Sequence, residues 1–117
     1  MEKRLIGALG ENLVAERYAL QGYELLTMNY HSRFGEIDII AQKGETIVFI
    51  EVKTRKNDHF SSAASAVTYA KQQKIKTTAL FYLQSHSIEN GIVRFDVAEV
   101  YSADINPVIN IIESAFE

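Results

Sequence analysis

Two acidic residues and a lysine near the middle of the chain have the types and spacing of a hydrolytic metal site. Asp38 is a single charge among isoleucines, and Glu51 and Lys53 follow the apolar run 47–50. Side chains alternate along a strand, so Glu51 and Lys53 point to the same side, about 6.6 Å apart, while Val52 points into the core. Burying an unpaired carboxylate costs several kcal/mol, so Asp38 must be protonated, paired or bound to a metal.

A predicted β-hairpin brings the two acids together. Two β-rich runs, 36–42 and 46–53, flank a short glycine-containing turn at 43–45. The hairpin places Asp38 opposite or diagonal to Glu51. Two such carboxylates repel each other unless a proton or a cation lies between them.

The chemistry that this patch could perform is metal-dependent cleavage of a phosphodiester. Oxygen ligands with retained waters suit Mg²⁺ or Mn²⁺, and the backbone carbonyl of Val52 could add a further oxygen. Lys53 would place a compact positive charge beside the metal, so the patch could activate water and neutralise the charge that develops on the phosphate. The residue types leave one alternative open, in which Glu51 and Lys53 form an ordinary ion pair at the rim of the sheet and Asp38 is solvated at the end of the hairpin.

An α/β domain is predicted around the hairpin. Residues 4–21 are predicted to form a helix, 23–31 a strand, 66–85 a second helix after the polar loop 56–65, and 92–101 a further strand. The tail 105–116 is ambiguous between a strand and a short helix. The order α-β-β-β-α-β predicts one mixed central sheet flanked by helices, in a single domain over residues 1–117.

Periodicity within these elements gives more detailed expectations. The apolar stripe of the first helix is predicted to consist of Ile6, Leu9, Leu13 and Leu20. Gly7 and Gly10 inside this helix are of the kind that permits close approach of another backbone or a ligand. On the first hairpin strand, the residues at 37, 39 and 41 should share one face, with Asp38 on the other.

Composition and charge narrow the class of protein. The chain has 117 residues, 47% of them hydrophobic and 23% charged, and no cysteine, which excludes a disulfide framework and a thiolate metal site. No apolar run approaches the roughly 20 residues of a membrane helix, and the N-terminus meets charge before a signal peptide could form, so we expect a soluble cytoplasmic protein with no membrane partner. The net charge is −3, yet residues 53–76 contain six basic residues and one acid. This block is either a solvated face or a surface for nucleic acid.

The motifs around the two acids resemble a known superfamily. Gly35-Glu36-Ile37-Asp38 followed by Phe49-Ile50-Glu51-Val52-Lys53-Thr54-Arg55 resembles the D…ExK core of the PD-(D/E)xK nucleases, with a step from Asp38 to Glu51 like that of archaeal Holliday-junction resolvases. More closely, the chain resembles the bacterial YraN-like family of small predicted endonucleases. This likeness runs from Gly7-Ala8-Leu9-Gly10-Glu11 through Val67 to Lys71 and Arg94-Phe95-Asp96 to Ser114-Ala115-Phe116, and implies a restriction-endonuclease-like domain.

The resemblance also implies roles for single residues. Asp38 and Glu51 match the metal-binding acids, Lys53 the catalytic lysine, and Glu11 the acid that the first helix often contributes, although Glu11 could equally be a solvated helix residue. Lys71 falls where a residue facing the phosphate is common, with Gln72, Gln73 and Lys74 as competitors for that role. One departure is the loop Phe60-Ser61-Ser62-Ala63, which lacks a glycine expected after the aromatic residue.

The function predicted from the sequence is a Mg²⁺- or Mn²⁺-dependent endonuclease that acts on nucleic acid, with DNA and branched or recombination intermediates favoured. The residues predicted to hold the phosphate backbone are basic: Arg33, Arg55, Lys56, Lys71 and Lys74. The runner-up is an inactive nucleic-acid-binding or assembly module of the same fold. A third class, a structural interaction protein using the acidic C-terminal third, would show no metal affinity. The sequence carries no direct signal of oligomeric state; a homodimer would fit by analogy, since two strands of a junction need two cuts.

Overall fold

The structure is a computed structural model that describes residues 2–55, 67–101, 103 and 105–117. The described residues form two helices and five strands. These elements are α1 (Lys3–Leu20), β1 (Glu24–Ser32), β2 (Gly35–Lys43), β3 (Thr46–Arg55), α2 (Tyr69–Ser85), β4 (Ile92–Tyr101) and β5 (Val108–Phe116). The predicted α/β class and the order of the first six elements are confirmed, and the ambiguous tail forms a fifth strand. The predicted loop 56–65 lies outside the described residues.

All five strands belong to one mixed sheet with the order β1-β2-β3-β4-β5. The pairs β1–β2, β2–β3 and β4–β5 are antiparallel, whereas β3 and β4 run parallel. Parallel neighbours need a long crossover connection, and α2 lies within this one. The β3–β4 ladder runs from Thr46 opposite Ile92 to Arg55 opposite Tyr101, whereas β2 pairs only with Thr46–Ile50, so the second half of β3 has a strand partner on one edge only.

Each face of the sheet is covered by one helix, which explains why β3 begins as a continuous apolar run. The cluster beneath α1 contains Val14, Ala15 and Tyr18 together with Ile39 and Ile50. A second cluster of buried hydrophobic residues lies beneath α2. Its main members are Ile37, Ile40, Ile47, Phe49, Ile75, Ala79, Tyr82 and Val97.

The predicted stripe of α1 is only partly right. Ile6, Leu9 and Leu13 pack against the core as half-buried residues, but Leu20 is 78% exposed. The fully buried side of the helix is instead the one that carries Val14 and Tyr18, because Tyr18 has a polar partner in the core. Across the chain of described residues, neither helix combines the length and apolar character that crossing a membrane would require.

The predicted close approach at the glycines of α1 is found at Gly10. A Cβ atom built there would lie 2.5 Å from the hydroxyl oxygen of Thr54 on β3. At Gly7 nothing lies within 4 Å of the corresponding position. Gly10 therefore allows the first half of α1 to rest directly on the end of β3 that carries Glu51 and Lys53.

A buried carboxylate joins α1 to the C-terminal strands. The Tyr18 hydroxyl donates to Asp96 Oδ2 at 2.6 Å, Arg94 Nε donates to Oδ1 at 2.9 Å, and the Ser114 amide donates to Oδ1 at 3.1 Å. Burial, with the hydrogen bond to Asp96, raises the pKa of Tyr18. Asp96 is fully buried, and its charge is compensated by Arg94 and by these two donors.

Candidate active site

The candidate site begins where β2 and β3 stop pairing. Their ladder runs from Lys43 opposite Thr46 to Ile39 opposite Ile50. The next residues along the two strands are Asp38 and Glu51. The predicted hairpin and its pairing are thus confirmed, and both acids stand at the open end of the ladder.

Asp38 stands at a break in the alternation of β2, and the predicted face assignment is wrong for Ile37. Ile39 packs in the cluster beneath α1, whereas Ile37 packs in the cluster beneath α2. The neighbouring strand shows the same break, because Met28 packs on the α1 side and Tyr30 on the α2 side. Two residues that flank one position in a regular strand lie on the same face, so Asp38 does not point squarely to either face.

The residue across from Asp38 on β1 explains this break. Met28 pairs with Ile39 and Tyr30 with Ile37, which sets Asn29 opposite Asp38. Asn29 has φ +54°, a left-handed conformation that asparagine adopts more readily than most residues. A local irregularity shared by both strands therefore turns Asp38 towards β3.

The reoriented Asp38 side chain binds the backbone of β3. Its Oδ2 accepts a hydrogen bond from the Val52 amide at 2.8 Å. The amide and the carbonyl of one residue lie on the same edge of a strand, so the Val52 carbonyl also lies on the edge next to Asp38. The carboxylate takes the place of the backbone partner that β2 no longer supplies.

Asp38 and Glu51 are electrostatically coupled. Burial is the largest cause that raises the pKa of both groups, and the neighbouring Asp38 charge helps to raise that of Glu51 to about 7. The hydrogen bond between the two side chains lowers the pKa of Asp38 and raises that of Glu51. Both carboxyls are therefore protonated more readily in the folded protein than in the unfolded chain, and Glu51 retains only 8% exposure.

Lys53 lies on the same face of β3 as Glu51, as the strand period predicts. Phe49 packs beneath α2 and Val52 beneath α1, so alternation puts Glu51 and Lys53 on the α2 side. The positive charge of Lys53 lowers the pKa of Glu51. Lys53 is half-buried.

Glu99 is a neighbour of Lys53 that the sequence analysis missed. It lies directly opposite Lys53 in the parallel β3–β4 ladder and is fully buried. Its Oε1 accepts a hydrogen bond from Asn110 Nδ2 at 3.3 Å. The signal that could have found it is the one that identified Asp38, an acid inside a strand of apolar residues.

The two helices each contribute one charged residue near the pair. Glu11 of α1 has a raised pKa, first because of burial and then because of the Asp38 charge, and the Asn29 side chain, to which it hydrogen-bonds, lowers it. Lys71, in the first turn of α2, lowers the pKa of both Asp38 and Glu51. The structure thus brings Glu11 and Lys71 to the same end of the sheet as the two acids.

The other predicted nucleic-acid-binding residues are spread around this end of the sheet. Arg55 is half-buried at the end of β3, opposite Tyr101. Lys74 is exposed, one turn after Lys71 on α2, and Arg33 is exposed in the turn between β1 and β2. Lys56 lies outside the described residues.

The donor set fits a hard divalent cation. Within the described ranges, no group of three or more histidine, cysteine, aspartate or glutamate side chains is close enough to hold a metal. Mg²⁺, however, is usually bound through one or two carboxylates and keeps several waters. Asp38, Glu51 and the Val52 carbonyl would meet that requirement. The pKa values of both acids are raised, which means that their ionised forms lack sufficient positive charge nearby, and a cation between them would supply it. Glu11 lies near Asp38 without joining a three-acid group.

Comparison with known proteins gives related sequences over nearly the whole chain. The model of the uncharacterised protein family UPF0102 matches residues 10–100. The UPF0102 protein of Caldicellulosiruptor saccharolyticus is 43% identical over 118 residues, covering 99% of this chain and 100% of the relative. That of Vibrio parahaemolyticus is 48% identical over 113 residues (94% and 93% covered), and that of Syntrophus aciditrophicus 44% over 111 residues (95% and 87%). None of these names describes an activity.

Proposed function

Because the chain belongs to the uncharacterised protein family UPF0102, the YraN-like family that its motifs resemble, its activity must be inferred from the site, and we propose that it is a metal-dependent nuclease. The proposed reaction is hydrolysis of phosphodiester bonds in nucleic acid, with DNA as the substrate. The observation that carries the proposal is the pair formed by half-buried Asp38 and buried Glu51, whose pKa values are both raised, with Lys53 on the same face as Glu51.

Each side chain has a distinct role in this proposal. Asp38, Glu51 and the Val52 carbonyl would hold Mg²⁺ or Mn²⁺, which when bound would supply Lewis acidity and activate a water. The hydrogen bond from the Val52 amide holds the Asp38 carboxylate beside the Val52 backbone. Lys53 presents a compact ammonium to the charge that develops on the phosphate, which is the kind of preorganised electrostatic stabilisation that lowers a barrier.

The neighbouring basic residues would hold the rest of the substrate. The charge of Lys71, on α2, lowers the pKa of both acids. Lys74, Arg33 and Arg55 lie farther from the two acids. Contacts from such residues to phosphates supply affinity without reading the base sequence. We therefore propose a nuclease whose choice of substrate depends on nucleic-acid shape.

The test is a cleavage panel. Linear duplex, single strand, flap, four-way junction and RNA are each incubated with Mg²⁺, Mn²⁺ or EDTA, with wild type beside Asp38→Asn and Glu51→Gln. We expect metal-dependent cleavage of at least one DNA substrate by wild type alone. Binding without cleavage of any substrate would overturn the nuclease and support a binding module instead.

A further inference from the structure

Two exposed aromatic rings meet edge to face near the proposed site. Phe34, in the turn between β1 and β2, is 36% exposed, and Phe81 of α2 is 41% exposed. Their ring centroids are 6.0 Å apart with an interplanar angle of 61°. The guanidinium carbon of Arg33 lies 5.0 Å from the centroid of the Phe34 ring. We call this group, Arg33, Phe34 and Phe81, the aromatic platform.

The turn that presents Phe34 is anchored to α2. The Phe34 amide donates to Ser32 Oγ at 3.1 Å, and Ser32 Oγ lies 3.4 Å from the Thr78 hydroxyl oxygen. Gly35 has φ +151°, and a Cβ built there would lie 3.4 Å from Thr78 Oγ1 and 3.6 Å from Lys74 Cβ. These distances are ordinary van der Waals contacts, so the turn packs against the helix, and the positive φ is what favours glycine at this position.

The platform is linked to the candidate site by two elements. Phe34 precedes Asp38 by four residues of extended chain, about 13 Å. Phe81 follows Lys71 by ten residues of helix, about 15 Å. Lys74 lies between Lys71 and Phe81 on α2 and beside Gly35. The rings therefore stand a few nucleotides from a phosphate placed at Asp38 and Glu51, with a positive side chain in between.

Exposed rings beside positive charge suit one particular ligand chemistry. The face of a base is covered by its neighbours in a duplex, whereas an unpaired base can stack on an aromatic ring. Arginine and lysine beside the ring bind the phosphates on either side of that base. Glu36, an acid two residues after Phe34, has its Oε2 3.2 Å from His31 Nδ1.

We propose that Phe34 and Phe81 form a stacking platform for an unpaired base of the nucleic acid whose phosphate lies at Asp38 and Glu51. This inference rests on the proposed nuclease function and narrows its substrate to nucleic acid with single-stranded or branched segments. A fully paired linear duplex would offer the platform no base and would be bound by its phosphates only.

The experiment measures binding, separately from cleavage. Fluorescence anisotropy with Ca²⁺ compares a single strand, a flapped duplex and a blunt duplex of matched length, for wild type, Phe34→Ala and Phe81→Ala. We expect each variant to bind the single strand and the flap about tenfold more weakly, the scale of one lost base–aromatic stack, and to bind the blunt duplex unchanged. Leu80→Ala, at a 55% exposed position next to Phe81, is the matched control and should bind as wild type does.

Further variants separate stacking from simple packing. Phe34→Trp should restore binding to the flap, whereas Phe34→Leu, which keeps apolar area but no ring, should not. 2-Aminopurine at the unpaired position should be quenched by wild type and not by Phe34→Ala, and thermal melts should confirm that the variants remain folded. The platform would be overturned if Phe34→Ala and Phe81→Ala lost affinity equally for all three substrates, or lost none. It would also be overturned if Phe34→Leu bound the flap as wild type does. Quenching and flap preference without metal-dependent cleavage would support the platform and overturn the nuclease.

Discussion

Asp38 Oδ2 accepts a hydrogen bond from the Val52 amide nitrogen, which lies 2.8 Å away, so a side chain of β2 is bonded to the backbone of β3 one residue beyond Glu51. The relative position of the two carboxylates is thereby fixed by the backbone of β3. A shift of β2 against β3 would break this bond and separate the acids, so the end of the ladder and the site must move as a unit.

Divalent metal should stabilise the fold. When both are ionised, Asp38 and Glu51 repel each other in the metal-free protein, and a cation that binds only the folded state adds RT ln(1 + [L]/Kd), roughly 1–3 kcal/mol at high concentration. Thermal melts with Mn²⁺ or Mg²⁺ should therefore rise, and Glu51→Gln should abolish the rise. Glu16→Gln, at an exposed position of α1, is the control and should keep it. If wild type and Glu51→Gln respond alike, the pair is not a metal site.

The stability of the metal-free protein should fall as the pH rises from about 4.5 to about 7. The pKa of Glu51 is raised from 4.5 to about 7 in the folded state, so in this range the folded protein binds more protons than the unfolded chain and the slope of unfolding free energy against pH is negative. Urea unfolding in EDTA across this range measures the slope, and Glu51→Gln should flatten it. A wild-type slope that Glu51→Gln leaves unchanged would assign the effect to other groups.

Lys53→Ala should lower the cleavage rate by a factor on the order of 10²–10³, the scale of losing one electrostatic stabiliser. Substrate affinity should change far less, because Arg55, Lys71 and Lys74 remain. Lys53→Arg should restore only part of the rate, since a planar fork cannot place charge where a compact ammonium did. Single-turnover rates with Mg²⁺ and binding constants with Ca²⁺ test this, and equal losses of rate and affinity would make Lys53 a phosphate anchor.

Lys71 and Lys74, one turn apart on α2, should differ in their effect on chemistry. Lys71→Ala and Lys74→Ala should weaken binding of unrelated sequences by similar amounts, because phosphate contacts carry no base information, and binding should fall steeply with salt. Of these two lysines, only Lys71 lowers the pKa values of Asp38 and Glu51, so of the two variants only Lys71→Ala should also change the single-turnover rate at saturating protein. Binding that does not depend on salt concentration would argue against a nucleic-acid-binding surface at Lys71 and Lys74.

Asp96→Asn should cost the fold about 3 kcal/mol, as expected when one member of a buried ion pair is removed. The change removes the charge that Arg94 faces and weakens the bonds from Tyr18 and Ser114. Glu113→Gln is the control, since Glu113 is exposed and contacts Arg94 only at 3.7 Å; its effect should stay within about 0.5 kcal/mol. Urea unfolding gives both values. Equal losses of unfolding free energy in the two variants would mean that the burial of Asp96 does not determine its contribution to stability.

Much of the fold could be predicted because its elements have strong periodic patterns. The hairpin around Gly44 and the strand Ile92–Tyr101 were predicted within one or two residues at each end. The tail could not be assigned, because the pattern of Val108–Phe116 follows Pro107 and includes a left-handed residue, Ser114, with φ +51°. Its strand conformation is decided by pairing with β4, which is a long-range contact.

The sequence predicts which residues the hairpin brings together, and less well how their side chains are oriented. Asp38, Glu51 and Lys53 come together as the hairpin requires, whereas the orientation of Asp38 depends on Asn29, whose left-handed backbone no local pattern shows. Glu99 was missed because it comes from a strand more than forty residues later in the sequence. Strand periodicity shows which residues of one hairpin share a face. Which residues of a parallel strand lie beside them is determined by the topology of the sheet.

The parallel pairing of β3 with β4 also has a consequence for folding kinetics. Thr46 pairs with Ile92, so the chain must close a loop of about 46 residues before this ladder can form, and contacts of such sequence separation slow folding. The hairpin of β2 and β3 can form from local contacts long before. The burial that raises the pKa values of Asp38 and Glu51 would therefore be completed only after β4 has docked against β3.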